Sequence, residues 1–185
     1  IQRSRGLGDV YKRQVYYEVI PSNSLRLFQS KFDKDPNDAN TYGLALAHQK
    51  NNNYEKSINL LDKLIKKYPK NLVINTTKVD ILTAFGNYNE ALLLVDKFLE
   101  ISPKNYPLSI SKSKLLLAMK SYFESEEIIR DQLLRKNDDP ELWLLLSEIQ
   151  RNSQNILGYH QSRAEYFLLL GQDEQALNQL SLIHI

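Results

Sequence analysis

The chain contains no cysteine, which excludes disulfide frameworks and thiolate metal sites. Glycine and proline are sparse, six of each in 185 residues, while Leu, Lys, Asn and Ser dominate. That balance predicts a mostly helical chain. No uninterrupted apolar run approaches the roughly 18 residues that would suggest a membrane span. Patterns of the GxGxxG, P-loop and GxSxG kind are missing as well. What is present is a globular composition, 42% hydrophobic and 25% charged, sufficient for one domain with a core.

The two ends read differently from the rest. Asp9 to Gln14 can be written in codons as GAT GTG TAT AAG AGA CAG, whose reverse complement translates as Leu-Ser-Leu-Ile-His-Ile, the sequence of Leu180 to Ile185. One inverted DNA repeat encoding both ends resembles the mosaic end of a transposon used in sequencing libraries. Residues 1–14 and 181–185 are therefore expected to be adapter-derived scars and are set aside from fold reasoning. Residues 1–14 carry Arg3, Arg5, Lys12 and Arg13 against Asp9, a net +3, so the formal +2 of the whole leaves −1 for residues 15–185. The basic balance gives no support for nucleic-acid binding.

Self-comparison exposes a period. Tyr54, Tyr88 and Tyr122 are each 34 residues apart, as are Leu61, Val95 and Ile129, and the small residues Ser57, Ala91 and Ser125. Pro69-Lys70-Asn71 recurs as Pro103-Lys104-Asn105, and the next register falls on Asn137-Asp138-Asp139 before Pro140. Each unit reads as two helices. In the first unit a segment around Tyr42 to His48 is broken by Asn51-Asn52-Asn53, and Ile58, Leu61, Leu64 and Ile65 then follow helical spacing. In the second unit Gly86 is placed to close a helix in the left-handed conformation. Pro140 suits a first helical position, with Asp138 or Asp139 as its cap. Units are expected at about 38–71, 72–105, 106–139 and 140–180, after a 15–36 linker holding one helix.

A 34-residue helix–turn–helix with small residues at two fixed places and a closing proline resembles the tetratricopeptide repeat (TPR). The resemblance implies an all-α, TPR-type α-solenoid of stacked antiparallel helix pairs, with Ala45, Val79 and Ser113 at one small site and Ser57, Ala91 and Ser125 at the other. Lys78 and Lys112 replace the usual leucine of the first helix, where local loosening is expected. Three stretches, Tyr42-Gly-Leu-Ala-Leu-Ala47, Glu141-Leu-Trp143 and His160 to Leu177, carry a narrower resemblance to the C-terminal TPR region of BepA-type periplasmic zinc metalloproteases. It spans roughly residues 22–180. It implies a periplasmic adaptor domain acting in outer-membrane assembly and quality control, with zinc confined to a separate HExxH protease domain. The partners it implies are proteins or peptides: barrel-assembly components, or the parent's own protease domain.

The residues themselves offer no catalytic constellation. His48 and His160 are followed by Gln49 and Gln161, and neither has a histidine four residues away. His48 falls at a repeat position matched by Leu82 and Leu116, which predicts a packed histidine rather than a ligand. Glu124, Glu126 and Glu127 read as a solvated face. The tyrosines at period 34 read as core, since no basic groove accompanies them. No cofactor is expected in this chain.

The chemistry left is binding. Stacked helix pairs line a concave face with their first helices, and by position that face should present Tyr42, Gln49, Lys50, Thr76, Asp80, Thr83, Ile110, Lys114, Glu148 and Arg151. This mixture suits a peptide or loop. The places that chaperone-clasping TPR modules fill with Lys, Asn and Arg hold Tyr42, Leu46, Thr77, Pro107 and Ser111, which argues against a carboxylate clamp. A free-standing TPR adaptor with another envelope or cytoplasmic partner is the alternative reading.

Overall fold

The computed structural model describes Val15, Glu18 and residues 20–183, so of the expected scars at 1–14 and 181–185 all but residues 181–183 lie outside the described residues, and Ser181 is the last residue of a helix. Ten α-helices and no strand occur among the described residues. They are α1 (Pro21–Lys34), α2 (Asp38–Lys50), α3 (Tyr54–Lys67), α4 (Leu72–Phe85), α5 (Tyr88–Ile101), α6 (Tyr106–Ala118), α7 (Tyr122–Leu133), α8 (Pro140–Asn152), α9 (Ile156–Leu169) and α10 (Asp173–Ser181).

The period is written into the helix ends. Asn37, Asn71, Asn105 and Asp139, each 34 residues apart, precede α2, α4, α6 and α8. Their side-chain oxygens accept the backbone N–H of Asn40, Ile74, Leu108 and Glu141 at 2.8, 3.2, 3.3 and 3.0 Å. Each satisfies a donor the helix leaves open, a contribution of about 1 kcal/mol. The cap of α8 is thus Asp139 of the two candidates.

The turns inside the pairs repeat as strictly. Asn52, Gly86, Lys120 and Gln154 have φ of +58°, +88°, +64° and +63°. One residue later the N–H of Asn53, Asn87, Ser121 and Asn155 reaches back to the carbonyls of His48, Leu82, Leu116 and Gln150 at 2.8–2.9 Å. This is the left-handed helix stop of the Schellman type. Gly86 adopts it without a Cβ, while the other three hold it as ordinary residues. Gly171, φ +68°, makes the same turn between α9 and α10, with the Gln172 N–H on the Phe167 carbonyl at 2.9 Å. The last three helices are therefore joined by two turns of the within-pair kind.

The described backbone falls into two compact units, which divide between Val95 and Asp96. In the first, Phe28, Leu44, Leu46, Leu61, Leu64 and Ile81 are buried in one core. Val15 joins that core, fully buried, and its carbonyl accepts Lys50 Nζ at 2.7 Å. In the second unit, Ile129, Leu133, Leu142, Leu145, Leu146 and Ile149 make the core. The small positions are wholly inaccessible: Ala45, Ser57, Val79, Ala91, Ser113 and Ser125 are each 0% exposed. Ser57 Oγ donates to the Ala45 carbonyl at 2.6 Å, and Ser125 Oγ to the Ser113 carbonyl at 2.8 Å. Small volume lets the helices of a pair close up, and the hydroxyl satisfies a carbonyl at the crossing.

Three expectations need correction. Lys78 and Lys112 do not loosen the fold. Lys78 Nζ lies 2.8 Å from Asp62 and 2.9 Å from Glu90, and Lys112 Nζ lies 2.7 Å from Asp96. The Asp62–Lys78 bridge recurs 34 residues on as Asp96–Lys112, so lysine replaces leucine where the preceding second helix supplies a carboxylate. Tyr54, Tyr88 and Tyr122 each begin the second helix of a pair, and all three are half-buried rather than interior. Glu126 departs from a solvated face: its Oε1 accepts Arg130 Nε at 2.8 Å and Gln150 Nε2 at 3.2 Å.

Candidate protein-binding surface

The side chains named for the concave face lie on α2 and α4 in the first unit and on α6 and α8 in the second. Tyr42 and Thr76 are withdrawn from it, each 6% exposed. The Thr77 hydroxyl is committed to the Val73 carbonyl, so Tyr42 OH donates to Thr77 Oγ1 at 2.8 Å and ties α2 to α4. Thr76 Oγ1 turns back to the Leu72 carbonyl at 2.8 Å. Gln49, Asp80 and Thr83 are half-buried, and Thr83 Oγ1 donates to the Val79 carbonyl at 2.8 Å. Lys50 is half-buried and also reaches the Glu18 carbonyl. Its ammonium serves the segment before α1, which residue spacing alone could not reveal.

On the second unit Ile110 packs partly buried against the core beside Trp143. Lys114, Glu148 and Arg151 are exposed. Of the ten positions, these three present charge to water. Of the places that argued against a carboxylate clamp, Leu46, Thr77 and Ser111 are buried along with Tyr42, while Pro107 is exposed.

Two electrostatic knots escaped the sequence reading. Asp38, at the start of α2, accepts Lys67 Nζ at 2.7 Å and Tyr68 OH at 2.6 Å, and these bonds hold its carboxyl below the ordinary range. Asp139 accepts Tyr106 OH and Lys136 Nζ, both at 2.7 Å. Burial works to raise Asp139, but the Lys136, Tyr106 and Glu141 hydrogen bonds outweigh it and hold the carboxyl low. Burial, reinforced by that carboxylate, pushes the Tyr106 phenol upward. The signal available in advance was an aspartate at a helix start with a lysine and a tyrosine near the neighbouring helix ends.

Of the two described histidines, His48 is buried and His160 half-buried. His48 is 8% exposed, and burial first, then the Lys56 charge, lowers its pKa from the ordinary value of 6.5. Its Nδ1 has no hydrogen-bond partner. His160 Nδ1 is 2.9 Å from Gln179 Oε1. Among the described residues no three His, Asp or Glu side chains gather closely enough to hold a metal ion, and no helix is long and apolar enough to cross a membrane.

Comparison with known proteins agrees with the helix geometry. Residues 39–71 and residues 82–149 each match a family model described as tetratricopeptide repeat. Among curated proteins there is no match. A thermophilic TPR protein of Thermus thermophilus, TTC0263, superposes with a TM-score of 0.75 at 15% identity, covering 98% of this chain and 99% of that one. A tetratricopeptide repeat protein from Parabacteroides merdae gives 0.63 at 18% identity, with 97% and 75% covered. MamA from Desulfovibrio magneticus, residues 41 to the end, gives 0.59 at 11% identity, with 91% and 96% covered. At such identities the likeness is one of fold. Repeated caps, repeated left-handed turns and these matches together make the chain a tetratricopeptide-repeat protein, an all-α solenoid of antiparallel helix pairs.

Proposed function

We propose that the chain is a non-catalytic protein-interaction scaffold, and that its surface for a peptide or loop centres on Lys114, Glu148 and Arg151 of α6 and α8. The observation that carries this reading is their exposure on the first helices of successive pairs, where the remaining candidates are wholly or partly enclosed. Charged side chains on a rigid helical support give orientation and specificity to a polar partner.

The finer reading is that this scaffold is the C-terminal TPR region of a BepA-type periplasmic zinc metalloprotease, working in outer-membrane protein assembly and quality control. In support stand the three resembling stretches. Tyr42–Ala47 lies in α2, Glu141–Trp143 opens α8, and His160–Leu177 runs through the α9–α10 turn at Gly171. On this reading the zinc belongs to a separate protease domain, and the adapter-like ends are not part of the natural protein. Affinity capture with the purified chain from an envelope extract tests it. Recovery of barrel-assembly components, reduced by Lys114→Glu and Arg151→Glu, is the expected result. Capture without such components would replace the finer reading with a free-standing adaptor. Sequencing the genomic DNA upstream of the codon for Val15 supplies the second check, with an in-frame HExxH motif as the expected finding.

A further inference from the structure

A second cleft, of about 590 Å³, opens between α1 and the α2–α3 pair and is lined by none of the residues named for the concave face. From α1 come Arg26, Gln29, Asp33 and Lys34, from α2 His48, and from α3 Lys56. Three cations thus surround one carboxylate, and Asp33 already accepts Gln29 Nε2 at 2.8 Å. Arg26 spends one N–H on Asn23 Oδ1 at 2.6 Å. Among the described residues Lys34 and Lys56 make no side-chain hydrogen bond or ion pair, although each ammonium carries three donors.

His48 supplies an independent sign. Its Nδ1 is buried without a partner, at a repeat position that holds Leu82 and Leu116 in the next two units. Leucine would fill that site with no desolvated polar atom, so the imidazole leaves a penalty that a hydrogen-bond partner for Nδ1 would relieve, an acceptor where Nδ1 carries the proton. Lysine charge and unspent ammonium donors on one cleft ask for an oxygen anion, and the His48 ring that lines the same cleft meets it as a donor where Nδ1 carries the proton.

We propose that the cleft between α1 and the α2–α3 pair binds an acidic segment of a partner protein, its carboxylates pairing with Lys34 and Lys56 and one of them accepting the His48 Nδ1 hydrogen. This rests on the reading of the chain as a protein-binding scaffold but uses separate side chains. Failure of the capture experiment on α6 and α8 therefore leaves the test below readable, and the reverse holds as well.

The test uses the full chain and a fluorescein-labelled hexaglutamate peptide, with hexaglutamine and an oligouridylate of equal length beside it, read by fluorescence anisotropy. Hexaglutamate is expected to bind and hexaglutamine is not, with the affinity falling between about 0.05 and about 0.5 M salt. Lys34→Gln and Lys56→Gln should each weaken hexaglutamate about tenfold, in the range of one charge-assisted contact. Lys70→Gln, an exposed lysine outside the cleft, should leave it unchanged. His48→Leu should also weaken binding, and in the parent the Nδ1 resonance of His48 should move on addition of peptide. Equal loss from Lys70→Gln and Lys56→Gln would reduce the effect to diffuse charge and overturn the site. Tighter binding of oligouridylate than of hexaglutamate overturns the choice of an acidic protein segment, and an unmoved His48 resonance at saturating peptide overturns the proposed pose.

Discussion

The α2–α3 pair and the α8–α9 pair close a helical hairpin through the same left-handed turn, yet their interiors differ in chemistry. In α2–α3 the crossing is made by volume: Ala45 and Ser57 are small and fully buried, and one hydroxyl satisfies one carbonyl. In α8–α9 it is made by a polar network around Gln150, 1% exposed. Gln150 Oε1 accepts Ser162 Oγ at 2.7 Å, and Nε2 donates to Glu126 at 3.2 Å. Gly158 is its companion, since a Cβ there would lie 2.7 Å from Gln150 Nε2 and 2.6 Å from Asn155 Nδ2. Added bulk strains the crossing in both pairs, and α8–α9 depends in addition on the partners of Gln150. The repeat keeps the backbone turn and leaves the means of packing open.

The sharpest way to break the contrast is bulk. Ser57→Leu should destabilise by about 3 kcal/mol, because a close-packed crossing has no room for it, whereas Ser57→Ala should remove less than about 1 kcal/mol. Urea unfolding followed by circular dichroism measures both, and equal effects would show that the hydroxyl rather than the volume governs α2–α3. Next comes Gln150→Leu, expected to destabilise by about 2 kcal/mol, since Ser162 Oγ loses its acceptor and Glu126 loses one donor.

Gly158→Ala is smaller, about 1 kcal/mol net, because the gain in helix propensity offsets part of the displacement of Gln150. Combined with Gln150→Leu, its effect should shrink, the two sharing one space. Strict additivity would remove Gln150 from the account of Gly158.

The gentlest comparison sets His48 against the leucines of the next units. His48→Leu should stabilise by about 1 kcal/mol at neutral pH by removing an unsatisfied ring nitrogen. Burial first and the Lys56 charge second lower the folded-state pKa from 6.5, so the native state resists protonation; Arg26 and Lys34 also line the cleft, with Asp33 its only carboxylate among the described residues. The stability that the neutral ring retains is complete above 6.5 and is lost as pH falls from there through the folded value. The advantage of the leucine variant should therefore widen between about pH 7 and about pH 5, and urea midpoints of both proteins across that window supply the check.

Much of the fold was legible along the chain. The 34-residue spacing of tyrosines, small residues and Pro-Lys-Asn identified helix pairs, and Gly86 announced its own turn. Asn52, Lys120 and Gln154 did not, because a left-handed turn held by an ordinary residue has no compositional mark. The caps Asn37, Asn71, Asn105 and Asp139 repeat at the same interval and could have been counted in advance. The candidate surface was less legible. Position on a first helix identified Lys114, Glu148 and Arg151 as outward, but it misplaced Tyr42 and Thr76 and was silent on the Lys50 bond to Val15.

Period and helix ends follow from residues a few places apart, so hydrophobic spacing, caps and turn stereochemistry specified the stacked pairs before any coordinates were needed. Exposure obeys another rule. Tyr42, buried, gives its hydroxyl to Thr77, thirty-five residues on, and His48 of α2 shares one cleft with residues of α1 and α3. Burial is a sum over neighbours distant in sequence, and that sum, which separates binding side chains from structural ones, exists once the helices have packed.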